Sequence, residues 1–348
     1  AKAAADVAGG CEIIDYVRPH TLQTNRVFQP GLSPGALAKN AHTLLRIRAF
    51  RRRYGRFEAF MRETMPLGPK RYLTIEELTA EPPLYDRCLC GSDQIWNPEI
   101  FSDKRFDPAF FLAFIKNAPK AAYAPSFGPA VIEGAAEERL RALLDGFTRL
   151  SARERRGAEL LSRVTGRPVP VVLDPTLLLT RQDWAALAAK EAPGKAYLLC
   201  YFVSPPGRLA ELAHSVKNRT GAAAVQLAGA RRRAPGVDKV IFDAGPREFL
   251  ALFQNAGYVL TNSFHGVVFS ILFEKPFTCG AGGGEDAGLS RTGHLLSLLG
   301  LTDRLLSGGG TPNLSGIDYG AAGQRLQAER ERSLAFLRDA LTGGTGDV

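Results

Sequence analysis

The chain has 348 residues, enough for two α/β domains, and its 45% hydrophobic and 23% charged fractions exclude a disordered protein. No run approaches the roughly 18 apolar residues of a membrane span. The formal net charge of +9 admits nucleic acid, an anionic membrane or a phosphorylated substrate as partner without choosing among them.

The chain opens at Ala1, not at methionine, on an alanine-rich stretch that reads as a short helix, followed by a strand over residues 11–17 (CEIIDYV). A doubly wound domain normally begins with a strand and glycine-rich turn before that helix. Their absence, like the absent methionine, points to a trimmed start. Next, Leu44, Ile47, Phe50, Tyr54, Phe57 and Met61 recur at helical spacing, with Arg46, Arg48, Arg51, Arg52, Arg53 and Arg56 on the remaining surface. The stripe is expected to pack on the N-terminal domain. The outward arginines are then either a solvated face or a dock for an anionic, membrane-borne acceptor.

From residue 85 the pattern becomes strand–helix alternation. Strands are expected at 88–90, 120–124 and 169–173, with helices at 132–147 and 155–164 and a turn at Asp174-Pro175. The second half repeats the pattern, with strands at 197–203, 223–227 and 258–261 and helices at 208–219, 246–254 and 266–273. Alternation of this kind implies parallel sheets, and two such domains leave a cleft between their strand ends. The division expected is 1–180, 181–318 and a closing helix with tail over 319–348, which can pack back on the first domain. Cys11, Cys88, Cys90, Cys200 and Cys279 form no C-x-x-C pair or metal spacing, so no metal is expected. Their usage fits a reducing cytoplasm.

Three clusters follow apolar strands. The first is Gly91, Ser92, Asp93, Gln94, Ile95, Trp96, Asn97 and Pro98, either a ligand-lining loop or an Asx-rich loop with Trp96 buried. The second is Ser151-Ala152-Arg153-Glu154, where Arg153 either forks onto an anion or pairs with a neighbouring acid. The third is Thr261-Asn262-Ser263-Phe264-His265-Gly266, a helix start at which His265 can serve as acid or base. Ser290-Arg291, after a glycine-rich stretch at 280–288 that reads as a flap, is a fourth candidate.

GSDQIWNP (91–98), AAYAPSFG (121–128), SARE (151–154), LDPTLLL (173–179), GPREFL (245–250) and TNSFHGVVFSILFEKPF (261–277) together resemble polysaccharide pyruvyl transferases in order and spacing. The resemblance runs from about residue 10 to 305. It implies two Rossmann-like domains facing across a cleft, the GT-B architecture of one large class of glycosyltransferases. It also implies pyruvyl transfer from phosphoenolpyruvate to a saccharide in cell-surface or extracellular polysaccharide biosynthesis. His265 becomes the general acid/base; Arg153, Arg291, Ser263 and Gly266 become the phosphoenolpyruvate site. Gly91, Ser92, Asp93, Gln94, Trp96 and Asn97 become candidates for the acceptor side. No cofactor beyond phosphoenolpyruvate as donor substrate is implied. A free or lipid-linked saccharide would be the partner, and the location would be the cytoplasm or the inner membrane face.

Two other readings stand beside this one. A nucleotide-sugar glycosyltransferase of the same architecture would recruit a carboxylate such as Glu248 or Glu274. A non-catalytic basic polysaccharide- or RNA-binding protein would explain the charge but not His265 and Arg153 at strand ends; nucleic acid is not the expected partner.

Overall fold

The structure is a computed structural model that describes residues 1–19, 33–45, 47–101, 103–190, 194, 196–228, 233–280, 291–306 and 313–343. Most of the expected glycine-rich flap lies outside the described residues, as do Arg46 and Ser290.

The first half contains α1 (Lys2–Ala8), β1 (Ile13–Tyr16), α2 (Pro34–Leu45), α3 (Ile47–Thr64), β2 (Leu67–Tyr72), α4 (Ile75–Ala80) and β3 (Cys88–Cys90). It continues with β4 (Lys120–Ala122), α5 (Ala135–Leu143), β5 (Phe147–Leu150), α6 (Arg155–Thr165) and α7 (Arg181–Leu187). The second half contains β6 (Tyr197–Tyr201), α8 (Arg208–Thr220), β7 (Ala224–Leu227), β8 (Lys239–Ile241), α9 (Pro246–Asn255) and β9 (Ala256–Thr261). It closes with α10 (Phe264–Leu272), β10 (Phe277–Gly280), α11 (Arg291–Leu299), β11 (Leu305–Leu306) and α12 (Tyr319–Thr342).

All strand pairs are parallel, as the strand–helix alternation requires. The second half forms one sheet in the order β11-β10-β9-β6-β7-β8, with its first strand in the middle. This is the Rossmann order 3-2-1-4-5-6. The first half carries two separate sheets, β1-β2 and β3-β4-β5. The chain is thus α/β with two Rossmann-like halves. The expected strand at 169–173 is reduced to one bridge, Ala152 to Val171.

Local chemistry sets the elements. The α6 helix buries Gly157, Ala158, Leu160, Leu161 and Val164 on one stripe and stops at Gly166 in the left-handed region. The α10 helix is buried almost throughout, so it reads as a continuous apolar run. Trp96, fully buried, stacks on Phe111 at 4.7 Å and donates its indole N–H to the Phe110 carbonyl at 3.0 Å. It therefore belongs to the first half's core and is not a cleft residue: a large aromatic ring gains more from burial than from exposure.

The arginine-rich α3 also corrects the sequence reading. It packs on the second half, not the first. Arg56 donates to the Asp243 carbonyl at 2.7 Å and pairs with Glu248 at 3.1 Å, and Arg52 reaches Asp243 at 3.2 Å. In return Arg247 pairs with Glu63 at 3.2 Å. The acids that open α9 draw these arginines in, so they do not simply face outward. Arg53, Phe57 and Phe60 with Trp184, Tyr201 and Phe249 line a cavity of about 510 Å³ between α3 and the ends of β6 and β7. Arg48 and Arg51 remain exposed.

The closing helix α12 does pack back on the first half. It lies against α1, and its Ser333 hydroxyl accepts the Leu173 N–H at 3.0 Å. Arg330 donates to the Leu177 carbonyl at 2.8 Å. Among the described residues no helix is long and apolar enough to cross a membrane.

Candidate active site

The cluster is assembled from loops at the carboxyl ends of β3, β5 and β9, where open α/β sheets bind ligands. Gly91 leaves β3 at φ 121°, and a Cβ there would run into the Tyr123 carbonyl. Only glycine allows this approach of two strand ends. Ser92 then donates to the Ala124 carbonyl at 2.8 Å and to Asp174 at 3.3 Å.

Arg153 is the hub. Its side chain is 1% exposed and its fork is filled: one Nη donates to Asp174 at 2.7 Å, the other to Asp93 at 3.1 Å. Its guanidinium also lies over the Phe264 ring, 4.8 Å from the centroid. Of the two readings left open, pairing with neighbouring acids is what the structure contains. Asp174 is buried; its other oxygen accepts from the Thr176 N–H at 3.0 Å and hydroxyl at 2.6 Å. Burial alone would raise the Asp174 pKa, but Arg153, then His265 when charged, and these hydrogen bonds hold it below the usual carboxylate range. Asp93 keeps most of its side chain exposed, yet the surrounding protein still opposes its ionisation, and Arg153, then His265 when charged, bring its carboxyl below the usual range.

From the second half come His265 and Arg291. The His265 Nε2 lies 4.0 Å from the Asp174 carboxylate, and the ring is about one-third exposed to the cleft. Arg291, at the start of α11, lies 3.9 Å from the same Asp93 oxygen that Arg153 binds. With its amide oxygen turned toward Arg291, Gln94 accepts from both Nη atoms at 3.0 and 3.1 Å. The Arg291 guanidinium is 5.8 Å from the centroid of the Phe264 ring that Arg153 also covers. Arginines from both halves thus converge on one carboxylate beside a histidine.

The remaining candidates serve the frame. Ser263 caps α10 by accepting the Gly266 N–H at 3.3 Å, and its hydroxyl lies against the Tyr201 phenol. Gly266 has no room for a Cβ, which would strike the Thr261 hydroxyl. Asn97 is buried and caps a 3-10 turn by accepting the Glu99 N–H at 3.0 Å. Glu248 is taken by Arg56 and by the Gly245 N–H, and Glu274 by Arg181. Asp174 and Phe264 are the residues the sequence reading missed as site members. Asp174 looked like a turn former; its position three residues past the bridge at Val171, and so at a strand end, was the available signal.

Glu154 completes the acids. It lies 4.0 Å from Arg153, and burial pushes its carboxyl above the usual range against the pull of that arginine. Among the described residues no group of three potential ligands is arranged to hold a metal ion.

The chain belongs to the polysaccharide pyruvyl transferase family, whose model matches residues 26–279. No curated protein matches it. Among solved structures, S. aureus MnaA with UDP is 14% identical, covering 97% of this chain and 92% of that one, with a TM-score of 0.42. The spinosyn rhamnosyltransferase SpnG with thymidine diphosphate is 12% identical over 97% and 90%, with a TM-score of 0.38. The glycosyltransferase SnogD from Streptomyces nogalater is 14% identical over 94% and 81%, with a TM-score of 0.31.

Proposed function

We propose that the chain transfers the pyruvyl group of phosphoenolpyruvate to a saccharide, forming a cyclic ketal at the cleft between the halves. Family membership supports the transfer to a polysaccharide precursor. The convergence of Arg153 and Arg291 on the Asp93 carboxylate supports an anionic donor. Asp93 is 62% exposed, so it is free to swing out while a donor carboxylate or phosphate takes its place between the arginines.

The reaction begins with a proton added to the methylene carbon of phosphoenolpyruvate, which makes the phosphate-bearing carbon electrophilic. One sugar hydroxyl forms a C–O bond there and gives up its proton. The C–O bond to phosphate breaks, and a second hydroxyl closes the ketal. Of the two hydroxyl protons, one ends on the new methyl group and the other on the released hydrogen phosphate. His265 carries a proton between these partners, and Asp174 holds its ring from behind. Arg48 and Arg51 on α3 place the enzyme at an anionic membrane surface when the acceptor is lipid-linked.

The test is phosphate release from phosphoenolpyruvate with free and lipid-linked glycans, with nucleotide sugars as rival donors. Release that requires a glycan and His265 supports the reading. Turnover with a nucleotide sugar and none with phosphoenolpyruvate overturns it.

A further inference from the structure

The cavity of about 510 Å³ between α3 and the ends of β6 and β7 takes no part in the chemistry described so far. Its size falls in the range of ligand pockets, roughly 300 to 1,000 Å³. Phe57 and Phe60 reach it from α3, Trp184 from α7, Tyr201 from β6, Phe249 from α9 and Phe269 from α10. The last four form a chain of edge-to-face contacts. Trp184 meets Phe269 at 5.2 Å, Phe269 meets Phe249 at 5.2 Å and Phe249 meets Tyr201 at 5.4 Å. Rings locked in this way make a preformed apolar wall.

The polar groups on that wall are already engaged. The Trp184 indole N–H donates to the Thr176 carbonyl at 3.0 Å, and the Tyr201 phenol lies against the Ser263 hydroxyl. A sugar or nucleobase buried here would give up its water partners and find few others. An apolar chain has no such partners to lose. Among the described residues the one charged side chain in the lining is Arg53, 5.6 Å from the centroid of the Phe57 ring. Its neighbours Arg52 and Arg56 are matched by Asp243 and Glu248, and Arg247 by Glu63. Among the described residues no carboxylate pairs with Arg53 in the same way. The cavity therefore joins an apolar interior to an uncompensated cation.

The rim is apolar as well. Phe57 and Val203 both line the cavity and are 40% and 49% exposed. The helix pair α2 and α3 also exposes Leu37, Leu44 and Tyr54 beside Arg48 and Arg51, the mixture that suits a bilayer surface. The same rim adjoins the candidate active site. Val203 N–H donates to the Asn262 side chain at 2.9 Å, and Asn262 leads directly into Ser263 and His265.

We propose that this cavity binds the apolar chain of a phosphorylated lipid carrier, with its phosphate on Arg53 and its glycan passing Asn262 toward His265. The path of the glycan rests on the pyruvyl-transfer reading; the chain site does not. Arg53 then recognises the charge that joins carrier to sugar, and the aromatic wall holds the chain irrespective of which sugar follows.

The test titrates the full chain with decyl phosphate below its micelle concentration and follows tryptophan emission. Trp96 is sealed in the core of the first half, so a change reports Trp184. Decyl phosphate should give a saturable change, decanol the same change at about tenfold lower affinity, and inorganic phosphate none. Arg53→Gln should bring decyl phosphate to the affinity of decanol, and Val203→Asp should weaken both ligands. Neither side chain is buried, so both variants should melt with the native protein. No saturable change in the native protein, or an unaltered affinity in either variant, overturns the proposal. Tighter binding of uridine diphosphate than of decyl phosphate, with the same emission change, overturns it in favour of a nucleotide. Equal binding of dihexanoyl phosphatidylglycerol overturns it in favour of an ordinary bilayer lipid. No phosphoenolpyruvate is present, so failure here leaves the proposed reaction untouched.

Discussion

The imidazole of His265 stands 4.0 Å from the carboxylate of Asp174, a residue of the opposite half of the molecule. The pair exists only when the cleft is assembled. His265→Ala should lower phosphate release from phosphoenolpyruvate by ~10²- to 10⁴-fold with an unchanged melting temperature. Full turnover in that variant removes His265 from the chemistry.

Arg153 is a poor site for a clean binding test. Arg153→Ala leaves Asp174 and Glu154 buried without their cation, at a cost of about 3 to 5 kcal/mol. The variant should show a lowered denaturation midpoint as well as weaker donor binding. Arg153→Lys should recover part of the stability, because an ammonium cannot serve Asp174 and Asp93 as a fork does. An unchanged midpoint in Arg153→Ala contradicts the hub role.

Asp93 gives the sharper test of the anion site. If its carboxylate occupies the donor's place, Asp93→Asn should bind phosphoenolpyruvate more tightly, by up to about 5-fold for a partly exposed pair. Calorimetry at low salt reads this directly. Weaker binding would mean that Asp93 contacts the donor's hydroxyl partners instead.

Glu154 has the opposite pH signature to Asp174. Its folded-state pKa is raised, so the stability it contributes is present below about pH 4.3, the unfolded value, and is lost as pH rises through the folded value. Glu154→Gln should therefore gain in melting temperature over the native protein as pH rises from 4 toward neutrality. Asp174, with a lowered pKa, contributes above about pH 3.9 and loses that contribution as pH falls through its folded value. A Glu154→Gln difference that does not change with pH would show that the carboxyl titrates alike in both states.

On α3, the membrane reading now rests on Arg48 and Arg51, since Arg52 and Arg56 are engaged with Asp243 and Glu248. Changing Arg48 and Arg51 together to glutamine should reduce sedimentation with anionic vesicles, at about 1 kcal/mol per charge. It should spare turnover on a short soluble glycan. Native protein that ignores such vesicles at low salt ends this reading.

The strand–helix alternation was legible because buried parallel strands and capped helices leave local marks, as at Tyr197–Tyr201 and at Ser263 before α10. Short edge strands such as Leu305–Leu306 leave almost none, because two residues carry no period. The site was half legible. His265, Arg153, Arg291, Asp93 and Gln94 sit at strand or helix ends that sequence can locate. What sequence cannot carry is pairing at a distance: Arg153 meets Asp174 across 21 positions and Arg291 meets Asp93 across the cleft. The partner of α3 was misjudged for the same reason. An amphipathic stripe names a buried face, but only Asp243 and Glu248, far along the chain, decide what buries it.

The closing helix α12 runs for 24 residues, about 36 Å of rigid rod. At its start the Tyr319 hydroxyl donates to the Lys275 carbonyl at 2.6 Å in the second half; near its end Asp339 pairs with Arg149 of the first. Such a rod, tied at one end to each half, resists pulling the halves straight apart. Asp174 is one residue from the hook between Leu173 and Ser333. Through that hook the rod ties the loop carrying Asp174 to the second half, which carries His265.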